Sequence, residues 1–341
     1  MRLSDLSRLI GIALVSLLGA CASPPPRLGE APARLDTAAG VVIGRSDRLL
    51  IYRPGRDDTL HSIAAQFLGD EARDWVIADF NRLSSVVPDQ PLVVPLKPLN
   101  PTGVQEDRLQ TVPILCYHRF GGASSKMSVS PANFAAQLDW LARNDYRVIR
   151  LSQLLGFLQG REALPKRSVV ITMDDGYESV QRYALPQLRK HGYPATLFVY
   201  SDFIGAAGAL SWAQLTELKA SGLVDIQAHS KTHRNLIERL PGETDAHYRQ
   251  SLDVEVRAPR ELLERRLAGP VRQYAYPFGD ASEAVLDALT RQQYQLAVTV
   301  TPGGNAFFSM PLMLRRTMIF GDIDIEAFKG KLQISRGVVA P

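Results

Sequence analysis

Cysteine is nearly absent, with two in 341 residues, which excludes a disulfide framework. There is no long run of one charge sign. Lysine and arginine total 39 against 35 acidic residues, a net charge of +4. That charge is too small and too dispersed for a nucleic-acid surface, so no nucleic-acid partner is expected. The apolar stretch at residues 9–18 falls short of the ~20 residues a membrane helix needs. With 45% hydrophobic and 22% charged residues, the chain is neither wholly disordered nor a multi-span membrane protein. Its length suits two or three domains with room for a sizeable core.

What is present begins with a targeting pattern. Arg2 and Arg8 precede the apolar stretch, and Gly19, Ala20 and Cys21 follow it, the order of a secretory signal. Leu18-Gly19-Ala20-Cys21 resembles the bacterial lipobox, which implies cleavage after residue 20 and lipidation of Cys21. Ala22 resembles the outer-membrane sorting pattern of Gram-negative lipoproteins. For a Gram-negative source, the expectation is therefore an outer-membrane lipoprotein facing the periplasm, held to the membrane by its lipid. Residues 1–20 are assigned to the signal and 21–48, rich in Ala, Pro, Gly and Arg, to the lipidated Cys and a flexible tether. Cys116 lies in an apolar strand-like run and reads as buried packing, not a nucleophile.

From Leu49 the texture changes. Residues 49–52 suggest a strand, Asp58-Thr59 offers an N-cap for a helix over 60–67, and a second helix runs over about 71–80. Trp75, Ile77, Ala78 and Phe80 are its packing candidates. Asn81 closes it, and residues 88–95 turn into a last strand. This strand–helix–helix–strand order, with Gly55-Arg56-Asp57-Asp58-Thr59 and Leu92-Val93-Val94-Pro95, resembles a LysM module. Asp89 stands where that family commonly has Gly. The resemblance implies glycan binding by residues 49–97, and hence a peptidoglycan contact. His61 reads as a surface helix residue. Residues 98–108 form a linker.

Residues 109–336 alternate strand-like segments (146–149, 169–173, 196–200, 224–228, 273–276) with helical ones (151–158, 180–191, 212–220, 251–267, 282–292). The repetition predicts an α/β fold, a parallel β/α architecture closed or nearly closed into a barrel. Chemistry in such a barrel sits at the C-terminal ends of strands. Three polar clusters fall there: Asp174-Asp175-Gly176, His229-Ser230-Lys231-Thr232-His233, and Pro277-Phe278-Gly279-Asp280. Two imidazoles and a carboxylate can hold a divalent cation with open positions, and a second carboxylate can take a proton from bound water. A His-x-x-x-His pair suits one face of a helix.

Thr172-Met173-Asp174-Asp175-Gly176 and His229-Ser230-Lys231-Thr232-His233 resemble the first two motifs of the NodB-homology polysaccharide deacetylases, carbohydrate esterase family four. Ile114-Leu115-Cys116-Tyr117-His118 is similar to the family's opening strand. The resemblance covers about residues 112–335. It implies a deformed β/α barrel that removes acetyl groups from N-acetylated sugars by metal-assisted hydrolysis. In that scheme Asp174 is the general base, and Asp175, His229 and His233 hold Zn²⁺ or a similar ion such as Co²⁺ or Ni²⁺. A backbone N–H near Phe278 or Gly279 would help hold the oxyanion.

Two departures stand out. Residues 274–279 lack the Arg that many members carry before the Pro-aromatic pair. No His follows His247 to serve as the late general acid. His118 and a protonated Asp174 are the candidate acids. Arg316 is a candidate for the cation that sets the base's pKa, with Arg315 or neither as alternatives. Tyr177, Trp212, Tyr276, Pro277 and Phe278 are the candidate sugar contacts. The expected substrate is an acetylated glycan polymer, an exopolysaccharide such as poly-N-acetylglucosamine. Peptidoglycan is the rival substrate, and a non-catalytic glycan-binding envelope lipoprotein the rival class.

Overall fold

A computed structural model describes residues 39–122 and 125–337. The expected signal, Cys21 and most of the expected tether lie outside those residues. No described helix is long and apolar enough to cross a membrane.

The N-terminal unit has strands β1 (Val41–Arg45), β2 (Leu49–Arg53) and β3 (Leu92–Pro95) in one antiparallel sheet, in that order. Helices α1 (Leu60–Leu68) and α2 (Asp74–Asn81) cross between β2 and β3. The unit thus has the expected strand–helix–helix–strand order with one strand more. Residues 41–45 were expected in the flexible tether. They form a strand instead, because the β-branched run Val41-Val42-Ile43 pairs with the open edge of β2. Thr59 and Ser62 cap α1 reciprocally, and Gly69 ends it in the left-handed conformation. The Asn81 side-chain amide bonds Ile77 O and both backbone groups of Val93, tying α2 to β3. Asp89 takes the left-handed φ of +63°. Leu50, Tyr52, Ile63, Ile77 and Val94 form the core. Phe80, an expected packing residue, is 44% exposed, since Ile77 already fills the α2 face toward the sheet.

The larger unit is an α/β fold on a curled parallel sheet. Its strands are β4 (Val112–Tyr117), β5 (Ser168–Met173), β6 (Ala195–Val199), β7 (Val224–Ala228), β8 (Gln273–Ala275) and β9 (Leu296–Val298), each beside the next. β10 (Thr317–Met318) pairs with β4, while Leu314 bridges Val298 of β9. Residues 314–318 therefore touch both edges of the curl. Helices α3 (Pro131–Arg143), α4 (Leu185–His191), α5 (Trp212–Ala220), α6 (Asp245–Leu267) and α7 (Glu283–Arg291) cover the outside.

β4, β5 and β6 are buried along their whole length, so they read as continuous apolar runs. Strand alternation sorts their side chains. Val169, Ile171 and Met173 pack toward the helices, whereas Val170 belongs to the inner cluster with Ile114, Phe198 and Leu314. Continuing that alternation, Thr172 and Asp174 face inward. α6 begins six residues ahead of the expected Ser251. Its first turns are mostly polar, but Thr244 caps them by accepting from His247 N–H, and Tyr248 already packs on the core.

Candidate active site and metal centre

Asp174 extends β5 by donating its N–H to Tyr117 O at 2.9 Å. Asp174 is only 2% exposed and its side chain meets Arg316, which is fully buried. The pairing is bidentate: Nη1 to Oδ1 and Nη2 to Oδ2, each 2.7 Å. Arg316 also donates Nε–H to Thr299 O at 2.8 Å and Nη1–H to Thr172 Oγ1 at 3.2 Å. Burial alone would raise the Asp174 pKa. The guanidinium outweighs it and holds the carboxyl below its ordinary value. Arg315, one residue earlier, turns away to Pro302 O. Cys116 is buried, its thiol pKa is pushed up by burial, and its Sγ lies 3.5 Å from Asp174 Oδ2. His118 offers a ring nitrogen within 4.8 Å of a carboxylate oxygen of Asp174. Burial depresses its pKa against the pull of both aspartates, so the imidazole rests neutral.

The chain breaks away from the strand at Asp175, whose φ is +73°, followed by Gly176 at +88°. A Cβ on Gly176 would meet Val199 Cγ1 at 2.9 Å. This turn sends Asp175 away from Arg316 and toward two histidines. His229 Nε2 lies 3.4 Å from Asp175 Oδ1, and His233 Nε2 lies 3.2 Å from the same atom. His229 Nδ1 is 2.7 Å from Ala275 O. A carbonyl can only accept, so Nδ1 carries the proton and the Nε2 lone pair faces Asp175. Burial opposes ionisation of Asp175, but the imidazoles around it hold its carboxyl well below the usual range.

Asp175 Oδ1 is buried and accepts no hydrogen bond. One ligand atom from each of Asp175, His229 and His233 lies within 4.8 Å of the others. An unpartnered buried oxygen facing imidazole nitrogens is the donor set of a divalent cation, so these residues fit such an ion.

The two histidines do not share a helix, contrary to the spacing argument. Residues 229–235 form an irregular turn in which Ser230 and His233 take φ of +75° and +64°. Ser230 Oγ accepts the His233 N–H at 2.9 Å. Buried Glu255, on α6, accepts Lys231 N–H and Thr232 N–H at 3.0 Å each and Thr232 Oγ–H at 2.8 Å. Sequence reasoning missed Glu255, because a lone acid among the charges of α6 looks like any solvated one.

An aromatic rim surrounds the cluster. Tyr200 lies 5.0 Å from His233 and stacks on Phe203, and Phe278 also lies 5.0 Å from His233. Phe278 is 59% exposed and takes φ of +59°. Among the described residues its N–H is donated to nothing, whereas Gly279 N–H is committed to Tyr276 O. Tyr177 carries the Arg119 guanidinium over its ring at 4.0 Å. Tyr200, Phe203 and Arg119 had no motif to announce them.

Two expected sugar contacts are not at this rim. Tyr276 is fully buried with its OH donated to Leu312 O, and Pro277 is buried beside it. The strand end carries them into the core. Trp212 packs against the main core under Arg266, 4.9 Å from its ring centre.

Residues 161–297 match the family model described as Polysaccharide deacetylase. A poly-β-1,6-N-acetyl-D-glucosamine N-deacetylase of Staphylococcus aureus (strain MRSA252) is 24% identical over 191 residues, 53% of this chain and 66% of its own length. The chain thus spans just under two thirds of that relative. IcaB from Ammonifex degensii is 28% identical over 62% of this chain and 92% of its own, with a TM-score of 0.56. A polysaccharide deacetylase from Bacillus cereus is 26% identical over 73% of each chain, also with a TM-score of 0.56. The family match and these likenesses support a hydrolytic polysaccharide deacetylase domain in this chain.

Proposed function

We propose that the protein is a metal-dependent N-deacetylase of an N-acetylhexosamine polymer, with poly-β-1,6-N-acetylglucosamine as its substrate class. The observation that carries this reading is the division of two adjacent aspartates, Asp174 to Arg316 and Asp175 to His229 and His233. The name of the staphylococcal relative supports the polymer.

Asp175, His229 and His233 would hold the ion, Zn²⁺ or a similar one. When bound, it would supply Lewis acidity and lower the pKa of water toward about 7. Asp174, kept ionised by Arg316, accepts the proton from the attacking water. His118, neutral at rest and close to Asp174, relays a proton to the departing sugar amine. The Phe278 N–H would donate to negative charge developing on the acetyl oxygen, and its ring with Tyr200 and Tyr177 would border the sugar.

Around this centre, the N-terminal unit serves as a LysM-like glycan-binding module able to contact peptidoglycan, and lipidated Cys21 anchors the chain on the periplasmic face of an outer membrane. Side-by-side acetate release from poly-β-1,6-N-acetylglucosamine and from peptidoglycan tests the reading. Release from the first is expected. Release from peptidoglycan alone would reassign the substrate, and release from neither would remove the hydrolase.

A further inference from the structure

The mouth of the curl carries charges of opposite sign on opposite sides. Arg119 follows β4 and Asp280 follows β8, four strands along in the sheet order. At about 4.8 Å per strand, that is about 19 Å around the curl. A line of ring contacts runs between the two ends and passes His233. The Arg119 guanidinium lies 4.0 Å over Tyr177, Tyr177 meets Phe203 at 5.5 Å, and Phe203 stacks on Tyr200 at 5.0 Å. Tyr200 and Phe278 each lie 5.0 Å from His233, and Asp280 comes two residues after Phe278.

Both charges are held in place and open to solvent. Arg119 is exposed, and its N–H is donated to Met127 O at 3.2 Å. The next residue, Phe120, is 1% exposed and packs on Tyr117 and Phe134. Asp280 is half-buried, and its Oδ2 accepts from Asn235 Nδ2 at 2.9 Å, on the turn that carries His233. Among the described residues neither Arg119 nor Asp280 forms an ion pair; Asp174, Asp175 and Glu178 leave Arg119 unneutralised. Lys231 and Asp202, at strand exits between the two ends, instead neutralise each other at 2.6 Å. The uncancelled pair leaves a field directed across the site, positive beside β4 and negative beside β8. Deacetylation turns a neutral acetamido unit into an amine that is cationic below neutral pH. Each turnover therefore changes how that unit interacts with the two ends.

We propose that Arg119 and Asp280 are specificity-determining residues that sort the neighbours of the reacting sugar by charge. Arg119 admits an acetylated unit and repels one already freed, while Asp280 accepts the ammonium of a freed unit. The polymer then lies across the cleft in one direction, its untouched part beside β4 and its processed part beside β8. This rests on the reading that the site frees amines on an amino-sugar polymer, and it goes further by giving the cleft a direction. An Arg119 that merely braced the Tyr177 ring would treat acetylated and freed neighbours alike. Because both charges meet solvent, the sorting weakens as salt shortens the Debye length from about 10 Å at 0.1 M.

The test uses the zinc-loaded full chain carrying Asp174→Asn, so that no turnover intervenes. The ligands are β-1,6-linked N-acetylglucosamine trimers at about pH 6, where an amine is protonated. One trimer is fully acetylated, one has a free amine at its non-reducing end, and one has it at the reducing end. Calorimetry at low salt is expected to show one amine isomer binding at least about fivefold more weakly than the other. Arg119→Gln should restore the weak isomer, Arg119→Lys should keep the difference, and Asp280→Asn should weaken the strong isomer. The difference should shrink in about 0.5 M salt. Isomers bound alike, no binding of any trimer, or an equal loss for all three in Arg119→Gln overturns the proposal. Isomers told apart by a protein whose unsubstituted form releases no acetate would sink the hydrolase reading and leave this one standing. Acetate release with the isomers bound alike does the reverse.

Discussion

Arg316 meets both oxygens of Asp174 at 2.7 Å, with the guanidinium fully buried and Asp174 2% exposed. Breaking such a buried pair by removing one partner strands the other. Arg316→Met is expected to cost about 3–5 kcal/mol of stability. Urea unfolding monitored by circular dichroism would measure it, and an unchanged midpoint would mean that the pair contributes nothing net.

The same pair fixes a pH dependence. The folded-state pKa of Asp174 lies below its ordinary value because the guanidinium outweighs burial. Its contribution to stability is therefore full above the unfolded carboxylate's pKa of about 3.9 and is lost as pH falls through the folded value. As a base it should stay ionised below the ordinary carboxylate range. Arg316→Lys gives up the planar fork and weakens this hold. The acid limb of the kcat/KM profile should move to higher pH, and a limb that stays in place would separate Arg316 from the base.

Asp174→Asn keeps the shape of the site but not its basicity. Acetate release should fall by about 10²-fold or more, while zinc binding measured by calorimetry persists. His229→Ala should instead abolish zinc binding. Equal turnover in Asp174→Asn and the unsubstituted chain would reject Asp174 as the base.

Glu255 holds the turn that carries His233 through two backbone N–H groups and one hydroxyl. Glu255→Ala should lower zinc affinity by about 10–100-fold, the usual effect of losing a group behind a metal ligand. The acid limb set by Asp174 and Arg316 should not move. That combination distinguishes a local loosening from general unfolding.

Gly279→Ala would place a Cβ 2.7 Å from Val300 N in a residue whose φ is +79°. Left-handed strain alone is worth about 1–3 kcal/mol, and the backbone contact adds to it. A clear drop in the melting temperature is expected, with parallel loss of activity as the Phe278 turn shifts.

The fold was legible where pattern and burial coincide. β5 stands out as an apolar run and β7 as an alternating one, each ending in a polar cluster, and α5 matches its expected span of residues 212–220. β9 and β10 were not legible, being three and two residues long. The strand β1 was masked by its Pro- and Gly-rich surroundings, although Val41-Val42-Ile43 is itself a β-branched run that favours a strand. At the site, the two aspartates and two histidines carried a spacing signature. Arg316 was one of two adjacent arginines, and only the register of β10 against β4 says which one points inward. The burial of Tyr276 and Pro277 follows from how the chain leaves β8, which no local pattern encodes.

The cation beside Asp174 lies 142 positions further along the chain. At a synthesis rate of about 5–20 residues per second, it leaves the ribosome roughly 7–30 s after its partner. Through that interval a nascent polypeptide holds an unneutralised acid at the centre of an unfinished ring. On the proposed roles the centre is therefore completed last, and a message cut short before Arg316 would yield a chain with Asp175 and both histidines but without the guanidinium beside Asp174.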